Sequence, residues 1–518
     1  MNENIIILDC GSQFTQLIAR RLRELKIHSV IMSWDTKPEL ISNPETLGVI
    51  ISGGPDSVND KDAITINPEI LNLSCPILGI CYGMQLLTKL KGGSVTSGTS
   101  QEYGITQITK QNTKQNNSKL LDSIPENINV LMSHGDNVSE LPEGFFVTAK
   151  TSGGVYAAIE DNSGKFFGLQ FHPEVANTQN GIDILKNFVF KICKCSGDWN
   201  LENWVENTVN NIRESVKSEK VICGLSGGVD SSVSAALVNK AVGSQLICVF
   251  VNHGLMRLNE PQEVLKSYEN MGLNIIYVDA SERFLSALKG VSDPEKKRHI
   301  IGKLFIDVFE EEANKISGAK WLLQGTIYPD VIESGVSKLK NKKGAVLIKS
   351  HHNVGGLPEK MNLKLLEPLR DLFKDEVREI GKLINVPDEI VSRQPFPGPG
   401  LAVRCLGEIT KERLDILRLA DSIFRQELKN ANLYKNIWQA FCVLLPVRSV
   451  GVMGDSRTYN EVAALRAIHS QDAMTAEWSR IDYDVLDKTA KRICNEVKGI
   501  NRVVLDITSK PPATIEWE

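Results

Sequence analysis

Short, uninterrupted runs of isoleucine, valine and leucine, separated by helical segments, are the feature that most restricts how this 518-residue chain can fold. Runs of this kind stand at residues 5–8 (IIIL), 28–32 (HSVIM), 48–52 (GVIIS) and 76–80 (PILGI), and a helix is predicted over 13–25. Strands that are apolar along their whole length must be covered on both faces, which is typical of parallel sheets. The sequence therefore predicts a doubly wound α/β domain at the start of the chain.

The same pattern begins again after residue 220. Apolar strands are predicted at 221–225, 246–251, 274–279 and 321–326, with helical segments between them. We therefore expect a second doubly wound α/β domain, with a mostly parallel sheet, in series with the first.

A Pro- and Gly-rich stretch, RQPFPGPGLAVRC at residues 393–405, then interrupts the pattern. Beyond it the alternation of helices and strands indicates a smaller C-terminal α+β domain. Its predicted helices span 411–430, 459–470 and 484–497, and its predicted strands span 440–447 and 502–508. The predicted domains are residues 1–195, 196–394 and 395–518.

Composition excludes several classes of protein. Lys and Arg total 59 against 63 Asp and Glu, a net charge of −4, which argues against a nucleic-acid backbone as the main partner. The first residues, MNENIIILDC, carry no basic leader, and no apolar stretch approaches the length of a membrane span. Ten cysteines in 518 residues are too few for a disulfide scaffold. We expect a cytosolic protein that binds neither nucleic acid nor membranes.

Cys81 stands where an apolar strand meets a helical segment. Gly79-Ile80-Cys81-Tyr82-Gly83 has the Gly-x-nucleophile-x-Gly layout, in which a sharp strand-to-helix turn exposes the nucleophile above the sheet. A helix predicted from about Met84 would point its N-terminal amides at the sulfur and favour the thiolate. The pattern predicts a nucleophilic thiol.

Two further stretches supply what such a thiol needs. ISGGP at 51–55 ends a strand in two glycines, so the N–H of Gly54, together with that of Tyr82, is a candidate oxyanion hole. LQFHPEV at 169–175 offers His172 as the base and Glu174 as the group that orients it. Taken singly, Cys81 is better interpreted as a small buried apolar residue and His172 as a loop histidine; the combination indicates catalysis.

GICYGMQ, SGGP and FHPE, in this order and at these distances, resemble the class I glutamine amidotransferases over residues 1 to about 190. The resemblance implies that Cys81, His172 and Glu174 hydrolyse glutamine to glutamate and ammonia through a thioester. It also implies a glutamine pocket, formed by Gln85, Ser133, His134, Gly135 and Asp136.

A second strand, glycine-rich turn and helix begins at residue 221, a geometry that aims backbone N–H groups at phosphate. It lacks the lysine of a Walker A loop and resembles the pyrophosphate loop of enzymes that split ATP into AMP and pyrophosphate. The proposed ATP-binding residues are Ser226, Gly227, Gly228, Val229, Asp230, Ser231 and Ser232. Asp230 is the expected Mg²⁺ ligand, because one carboxylate plus phosphate oxygens is the usual way to bind this ion.

Five further stretches extend the resemblance over essentially the whole chain: SGGVDSS, QGTIYPDVIES (324–334), FPGPGLAVR (396–404), VGVMGDSRTY (450–459) and KPPATIEWE (510–518). They resemble the family of glutamine-dependent ligases that aminate xanthosine 5′-monophosphate (XMP). This resemblance implies substrates glutamine, XMP and ATP, and a homodimer formed through the C-terminal domain. It further implies XMP contacts from Arg298, Gln439, Lys510, Ile515 and Glu516, and an adenylation centre with Asp330 and Glu333.

Several alternatives stay open on the sequence alone. The chain could be another adenylating enzyme of the pyrophosphate-loop type, such as an NAD synthetase or a tRNA-thiolating protein, or a non-catalytic sensor of glutamine or nucleotide. The lysine-rich stretch 335–364 is either a solvated segment or a mobile lid that closes over phosphates. The apolar terminal stretch PPATIEWE is expected to be docked rather than frayed, either at a ligand or simply as an edge strand, and Arg298 is either a ligand contact or part of a charged run.

Overall fold

A computed structural model describes residues 3–111, 117–331, 363–453, 456–470 and 475–518. The chain divides into two compact units: the first reaches from the start of the chain to Asn200, and the second begins at Leu201. Glu333 and residues 335–362 of the lysine-rich stretch lie outside the described residues. No helix within the described ranges is long and apolar enough to cross a membrane.

The first unit is built on a nine-stranded sheet with the order β2-β1-β3-β4-β9-β8-β7-β5-β6. Its strands are β1 (Asn4–Asp9), β2 (His28–Ser33), β3 (Thr46–Ile51), β4 (Ile77–Ile80), β5 (Ser94–Lys110), β6 (Asn127–Glu140), β7 (Phe145–Thr151), β8 (Tyr156–Asp161) and β9 (Phe166–Leu169). Its α-helices are α1 (Thr15–Glu24), α2 (Pro38–Ile41), α3 (Tyr82–Leu90) and α4 (Gly181–Lys186). A 3₁₀ turn (Pro68–Asn72) and a π-helical turn (Asn187–Ile192) complete it.

Strands β1, β2, β3, β4 and β9 are parallel, as the apolar runs predict. The other half, β5 to β8, is antiparallel and was not expected. Strand β6 explains why: its residues alternate between buried and exposed over much of its length. An antiparallel strand with one wet face carries such an alternating pattern, which is weaker in sequence than a continuous apolar run.

The second unit contains a five-stranded parallel sheet with the order β12-β11-β10-β13-β14. Its strands are β10 (Lys220–Gly224), β11 (Leu246–Asn252), β12 (Asn274–Asp279), β13 (Ala319–Leu323) and β14 (Lys364–Leu366). The helices around it are α5 (Leu201–Val216), α6 (Val229–Val242), α7 (Glu260–Glu269), α8 (Ser281–Ala287), α9 (Pro294–Lys315), α10 (Lys374–Leu383) and α11 (Asp388–Val391), with 3₁₀ turns at Gly243–Gln245 and Gly400–Val403. The predicted strands are found, and the α/β fold class is confirmed.

The same unit ends in a four-stranded mixed sheet. Its elements are α12 (Lys411–Asn430), β15 (Gln439–Met453), β16 (Ser456–His469), β17 (Glu477–Trp478), α13 (Tyr483–Glu496) and β18 (Ile500–Asp506). Strand β16 pairs antiparallel with β15 and parallel with β18. One hydrophobic core continues from the five-stranded sheet into this sheet, with Val249, Leu417, Leu444 and Leu465 among its members.

The prediction of a helix over 459–470 is wrong, because this segment is strand β16. The sequence EVAALRAI is rich in good helix formers. Seven consecutive residues, 462–468, are buried, so both faces of the segment are covered and its two edges pair with β15 and β18. Tertiary packing therefore overrides the local propensity.

The terminal segment is docked by Arg466 of β16, whose side chain is fully buried. Its guanidinium donates to a carboxylate oxygen of Asp506 at 2.6 Å and to the carbonyls of Thr508, Thr514 and Ile515 at 2.9, 2.9 and 2.7 Å. Two of these four acceptors, the carbonyls of Thr514 and Ile515, belong to PPATIEWE, so this stretch is docked through its backbone, although none of its residues is fully buried.

We expect Arg466→Met to loosen residues 506–518, since removing one partner of a buried ion pair costs roughly 3–5 kcal/mol. Amide hydrogen exchange of residues 506–518 measures this local opening. Arg457→Met, on the exposed part of the same strand, is the matched control and should leave exchange unchanged. Equal exchange in both variants would contradict the role given to Arg466.

Candidate active sites

Cys81 lies in the turn between β4 and α3 and has φ 52° and ψ −108°, a conformation that costs a non-glycine residue about 1–3 kcal/mol. The helix approaches the sheet so closely that neither flanking glycine has room for a side chain. A Cβ on Gly79 would lie 2.5 Å from the carbonyl carbon of Gly83, and one on Gly83 would lie 2.9 Å from the carbonyl oxygen of Ser52. The predicted sharp turn is present.

The thiol of Cys81 is only 4% exposed and has polar neighbours. Its sulfur lies 3.6 Å from the carbonyl oxygen of Ser133, and the side-chain amide of Gln170 donates to it across 3.8 Å. These contacts differ from the apolar surroundings expected of a purely structural cysteine.

His172 and Glu174 form a buried pair beside this thiol. Nδ1 of His172 lies 2.7 Å from Oε1 of Glu174, and both side chains are at most 4% exposed. Burial alone would lower the pKa of His172, but the Glu174 carboxylate and the Cys81 thiol outweigh it and raise that pKa from 6.5 to about 10. At neutral pH the imidazole is therefore protonated and paired with Glu174.

The two candidate oxyanion donors lie next to the same turn. Tyr82 is the first residue of α3, where a backbone N–H has no acceptor inside the helix. A Cβ on Gly54 would lie 3.1 Å from the Tyr82 ring and 2.8 Å from the carbonyl oxygen of Cys10, so this loop approaches closely because it has no side chain there. A Cβ on Gly53 would lie 3.2 Å from Cε1 of His172. The Gly-Gly turn thus packs between Tyr82 and the imidazole.

The residues predicted to bind glutamine lie together on β6 and α3. The side-chain amide of Gln85 donates to the carbonyl of Asp136 at 2.8 Å and to Oε1 of Gln170 at 3.2 Å. Nδ1 of His134 lies 3.1 Å from the Asp136 carbonyl oxygen, and the Asp136 carboxylate accepts from Ser57. Ser133 faces the Cys81 sulfur, and Gly135 lies between these residues on the strand.

Glu174→Gln should lower the pKa of His172, since burial then acts without the opposing carboxylate. Folding raises this pKa, so the charged pair stabilises the folded unit fully below about pH 6.5, and that contribution is lost as pH rises through about 10. Histidine ¹³C NMR should show His172, identified from the spectrum of His172→Gln, titrating near pH 10 in the wild type and at a lower pH in Glu174→Gln. The same titration in both proteins would contradict this electrostatic account.

The pyrophosphate loop connects β10 to α6 in the second unit. Gly227 has φ +75°, the left-handed region that favours glycine. The hydroxyls of Ser226 and Ser231 lie 2.9 Å apart, and the N–H of Gly228 donates to Ser226 Oγ at 3.3 Å. The Ser232 hydroxyl is buried and lies 2.6 Å from both the Gly228 carbonyl oxygen and the Tyr268 hydroxyl. The buried Ser232 hydroxyl therefore connects the loop backbone to Tyr268.

Asp230, in the first turn of α6 after Val229, has two different carboxylate oxygens. Oδ2 is paired with the ammonium of Lys374, whereas Oδ1 is buried and accepts from none of the described residues. A Cβ on Gly325 would lie 3.0 Å from the Asp230 carbonyl carbon, so the segment after β13 approaches this turn closely. Asp330 accepts from the N–H of Ile327 at 3.1 Å.

The residues predicted to contact XMP lie around the terminal segment. Oε1 of Glu516 accepts from Nη2 of Arg404 at 2.8 Å and from the Gln439 amide at 3.0 Å. Arg298 donates to the Glu518 main-chain oxygen. The carbonyl of Ile515 accepts from Arg466, as described above. Lys510 pairs through its backbone with Ala476, at 2.8 and 3.0 Å.

Four polar residues beside these sites were not singled out from the sequence: Gln170, Lys374, Lys297 and Arg404. Gln170 lies directly before FHPE, two residues from His172, so its place in this motif could have identified it as a candidate site residue. The cations gave none, because nothing in a local pattern distinguishes Lys297 and Arg404, both fully buried, from exposed basic residues. Their partners, Glu518 and Glu516, are more than one hundred residues away.

Comparison with known proteins identifies the family of this chain. Family models match for glutamine amidotransferase class-I (residues 6–192), NAD synthase (200–301) and the GMP synthase C terminal domain (426–517). A protein named GMP synthase [glutamine-hydrolyzing] from Aquifex aeolicus is 54% identical over 516 residues, 99% of each chain. Proteins of the same name from Brachyspira hyodysenteriae and Caldicellulosiruptor saccharolyticus are 53% identical, the former covering 100% of this chain and 99% of its own and the latter 100% of both. The chain belongs to the glutamine-hydrolysing GMP synthase family.

Proposed function

We propose that this protein converts XMP to GMP, with glutamine as the nitrogen donor and ATP as the activating substrate. The observation that carries the proposal is the presence of two separate reaction loops, a buried thiol beside a His-Glu pair and a glycine loop without a Walker lysine, in a chain more than half identical to its relatives over its full length. The domain limits 1–195, 196–394 and 395–518 remain part of this proposal, with the last two domains sharing one hydrophobic core.

At the first site, Cys81 attacks the side-chain amide carbon of glutamine and forms a tetrahedral intermediate, whose oxyanion the N–H groups of Gly54 and Tyr82 stabilise. Each such donor contributes roughly 10² to 10³ in rate. The carbon–nitrogen bond then breaks, the nitrogen takes a proton from His172, and ammonia leaves a thioester on the sulfur. Water, deprotonated by His172, hydrolyses the thioester to glutamate and regenerates the thiol. Glu174 holds the imidazole throughout.

The residues around Cys81 also explain how glutamine would be recognised. The carbonyl of Ser133 and the amide of Gln170 already point at the sulfur. Gln85 and Asp136 do not contact the sulfur in the described hydrogen bonds, and the Gln85 side-chain amide donates to the Asp136 carbonyl at 2.8 Å. The Asp136 carboxylate suits the substrate's ammonium group, while His134 and Gly135 shape the strand beside it.

The second site solves a leaving-group problem. Replacing the C2 oxygen of the purine by nitrogen would require the expulsion of hydroxide. Transfer of AMP from ATP to that oxygen, with release of pyrophosphate, turns it into a phosphate ester that leaves readily. Ammonia then attacks C2, and AMP departs with the oxygen. The loop from Ser226 to Ser232 would bind the pyrophosphate portion of ATP, and Asp330 and Glu333 would lie beside the adenylation centre.

Mg²⁺ fits the residues around the loop. A divalent cation needs an ionised oxygen free to coordinate it, and Oδ1 of Asp230 is a buried carboxylate oxygen that no described residue satisfies. When bound, the ion would neutralise phosphate charge. Lys374, which pairs with the other oxygen of Asp230, orients the carboxylate.

The terminal segment would complete the XMP site. Arg298 and Lys510 carry the charge to bind a monophosphate, and Glu516 would accept from purine N–H groups. Its carboxylate is held by Arg404 and Gln439, so the acceptor is fixed before the nucleotide arrives. Ile515 would contact the base. Arg298 would exchange its bond to the Glu518 main chain for one to phosphate.

Two of the alternative functions, a tRNA-thiolating protein and a sensor, are less well supported. A tRNA-thiolating protein needs a second reactive cysteine near the loop, and the cysteines there, Cys223 and Cys248, are at most 2% exposed in β10 and β11. A sensor of glutamine or nucleotide would have no need of the protonated His172–Glu174 pair beside a thiol. All ten cysteines are free, which suits the cytosol, the compartment we propose.

Two substitutions separate the sites. Cys81→Ala should abolish GMP formation from glutamine, by at least about 10³-fold for loss of the nucleophile, yet leave formation from added ammonium salts intact. Asp230→Asn should reduce GMP formation from both nitrogen sources. A spectrophotometric assay follows the conversion of XMP to GMP in the presence of ATP for each variant, once with glutamine and once with ammonium as the nitrogen source. Loss of both activities in Cys81→Ala would refute this division of labour.

We further propose a homodimer through the strand pair β15–β16. Near its turn, Val450 and Tyr459 are paired across the strands and are 52% and 59% exposed, and Val452 is 76% exposed. Apolar residues this exposed on one face of a sheet favour a second copy as the cover. Val450→Asp combined with Tyr459→Asp should shift sedimentation from dimer to monomer, whereas Tyr103→Asp, at an equally exposed site in the first unit, should not.

A further inference from the structure

The pyrophosphate loop has an interaction that the proposed chemistry leaves without a role. Nη1 of Arg393, from the Pro- and Gly-rich stretch at 393–405, donates to the carbonyl of Gly227 at 2.8 Å. The same guanidinium is paired with Glu260 at the start of α7. The Arg393 side chain is 20% exposed and Glu260 only 2%. A partly buried cation thus holds a backbone carbonyl of the loop.

The direction of this hydrogen bond fixes the direction of a phosphate donor. In a trans peptide the carbonyl of one residue and the N–H of the next point to opposite sides. The Gly227 carbonyl points at Arg393, so the N–H of Gly228 points away from it. That N–H faces the Ser226 hydroxyl at 3.3 Å, on the side of the loop where the hydroxyls of Ser226 and Ser231 meet.

Gly227 is also the residue whose peptide is freest to rotate. Its φ of +75° lies where glycine alone is unstrained, and glycine peptides reorient at little steric cost. Without an outside partner, the carbonyl of Gly227 and the N–H of Gly228 could exchange sides. A Cβ on Gly227 would lie 3.2 Å from Nη1 of Arg393, so the guanidinium packs directly against this peptide.

Arg393 is itself held from several sides. Its carbonyl accepts from Nη2 of Arg378 at 3.1 Å. The carboxylate of Glu260 that pairs with it also accepts from the N–H of Arg257 at 2.8 Å. Burial, with Arg257 and Arg425 nearby, lowers the pKa of Arg393 to about 10, which leaves it charged at neutral pH.

We infer that Arg393 is a positioning residue for ATP: by holding the Gly227 carbonyl it aims the Gly228 N–H at the pyrophosphate portion of the nucleotide. The inference rests on the proposed role of the loop. Arg393 does not touch the substrate itself. It sets the orientation of one backbone donor before the anion binds. The entropy cost of ordering the loop is therefore not charged against the free energy of binding.

The test compares Arg393→Gln, Arg393→Lys and the control Arg425→Gln in the full-length chain. Arg425 is 19% exposed, belongs to the same group of arginines and contacts Asp421 instead of the loop. Binding of inorganic pyrophosphate with Mg²⁺ is measured by calorimetry, and the KM for ATP and kcat are measured separately with ammonium as nitrogen source.

Loss of one charge-assisted hydrogen bond should weaken pyrophosphate binding and raise the KM for ATP about tenfold in Arg393→Gln. Arg393→Lys retains one donor and should recover part of this loss, and Arg425→Gln should remain within about twofold of the wild type. If Arg393→Gln binds pyrophosphate as Arg425→Gln does, the inference is overturned. A wild-type chain that binds neither pyrophosphate nor ATP would instead overturn the proposed role of the loop.

Discussion

The close approach of helix α3 to the strand before it is the constraint on which the loop around Cys81 depends. At the first loop, the carbonyls of Ile51 and Ser52 and the backbone of Met84 occupy the space that side chains at Gly79 and Gly83 would need. Because the helix starts so near the sheet, the residue between the glycines is forced to positive φ and stands at the helix N-terminus. The candidate nucleophile thus stands where the backbone has little freedom.

The second loop is held in a different way. Its glycine, Gly227, adopts positive φ without strain, and the loop is secured by groups outside it: Ser232 and Tyr268 from below and Arg393 from the side. A nucleophile needs one reactive atom held in position. An anion-binding loop needs several backbone N–H groups that point toward the same ligand. The position of Cys81 is set by the backbone conformation of the first loop. The conformation of the second loop is set by contacts with surrounding side chains.

Sequence patterns predicted the elements whose signal is local. Continuous apolar runs located the parallel strands, and glycine spacing located both turns. The helix expected over 459–470 failed because residues buried on both faces show no period, so intrinsic propensity decided the prediction. Arg393 and Arg404 were missed because their roles depend on partners more than one hundred residues away. The roles of Cys81, His172 and Glu174 stay predictions, now with a geometry that tests can address.

The core shared by the five-stranded sheet and the C-terminal sheet bears on how the chain could be divided. Leu417, Leu444 and Leu465 pack in the same cluster as Val249 and Phe284. A nick after Asn200 would cut the polypeptide between two compact bodies, and two separately expressed halves would each keep an intact interior. A nick near residue 395 would instead open a single interior to water and leave both fragments with unsatisfied apolar surface.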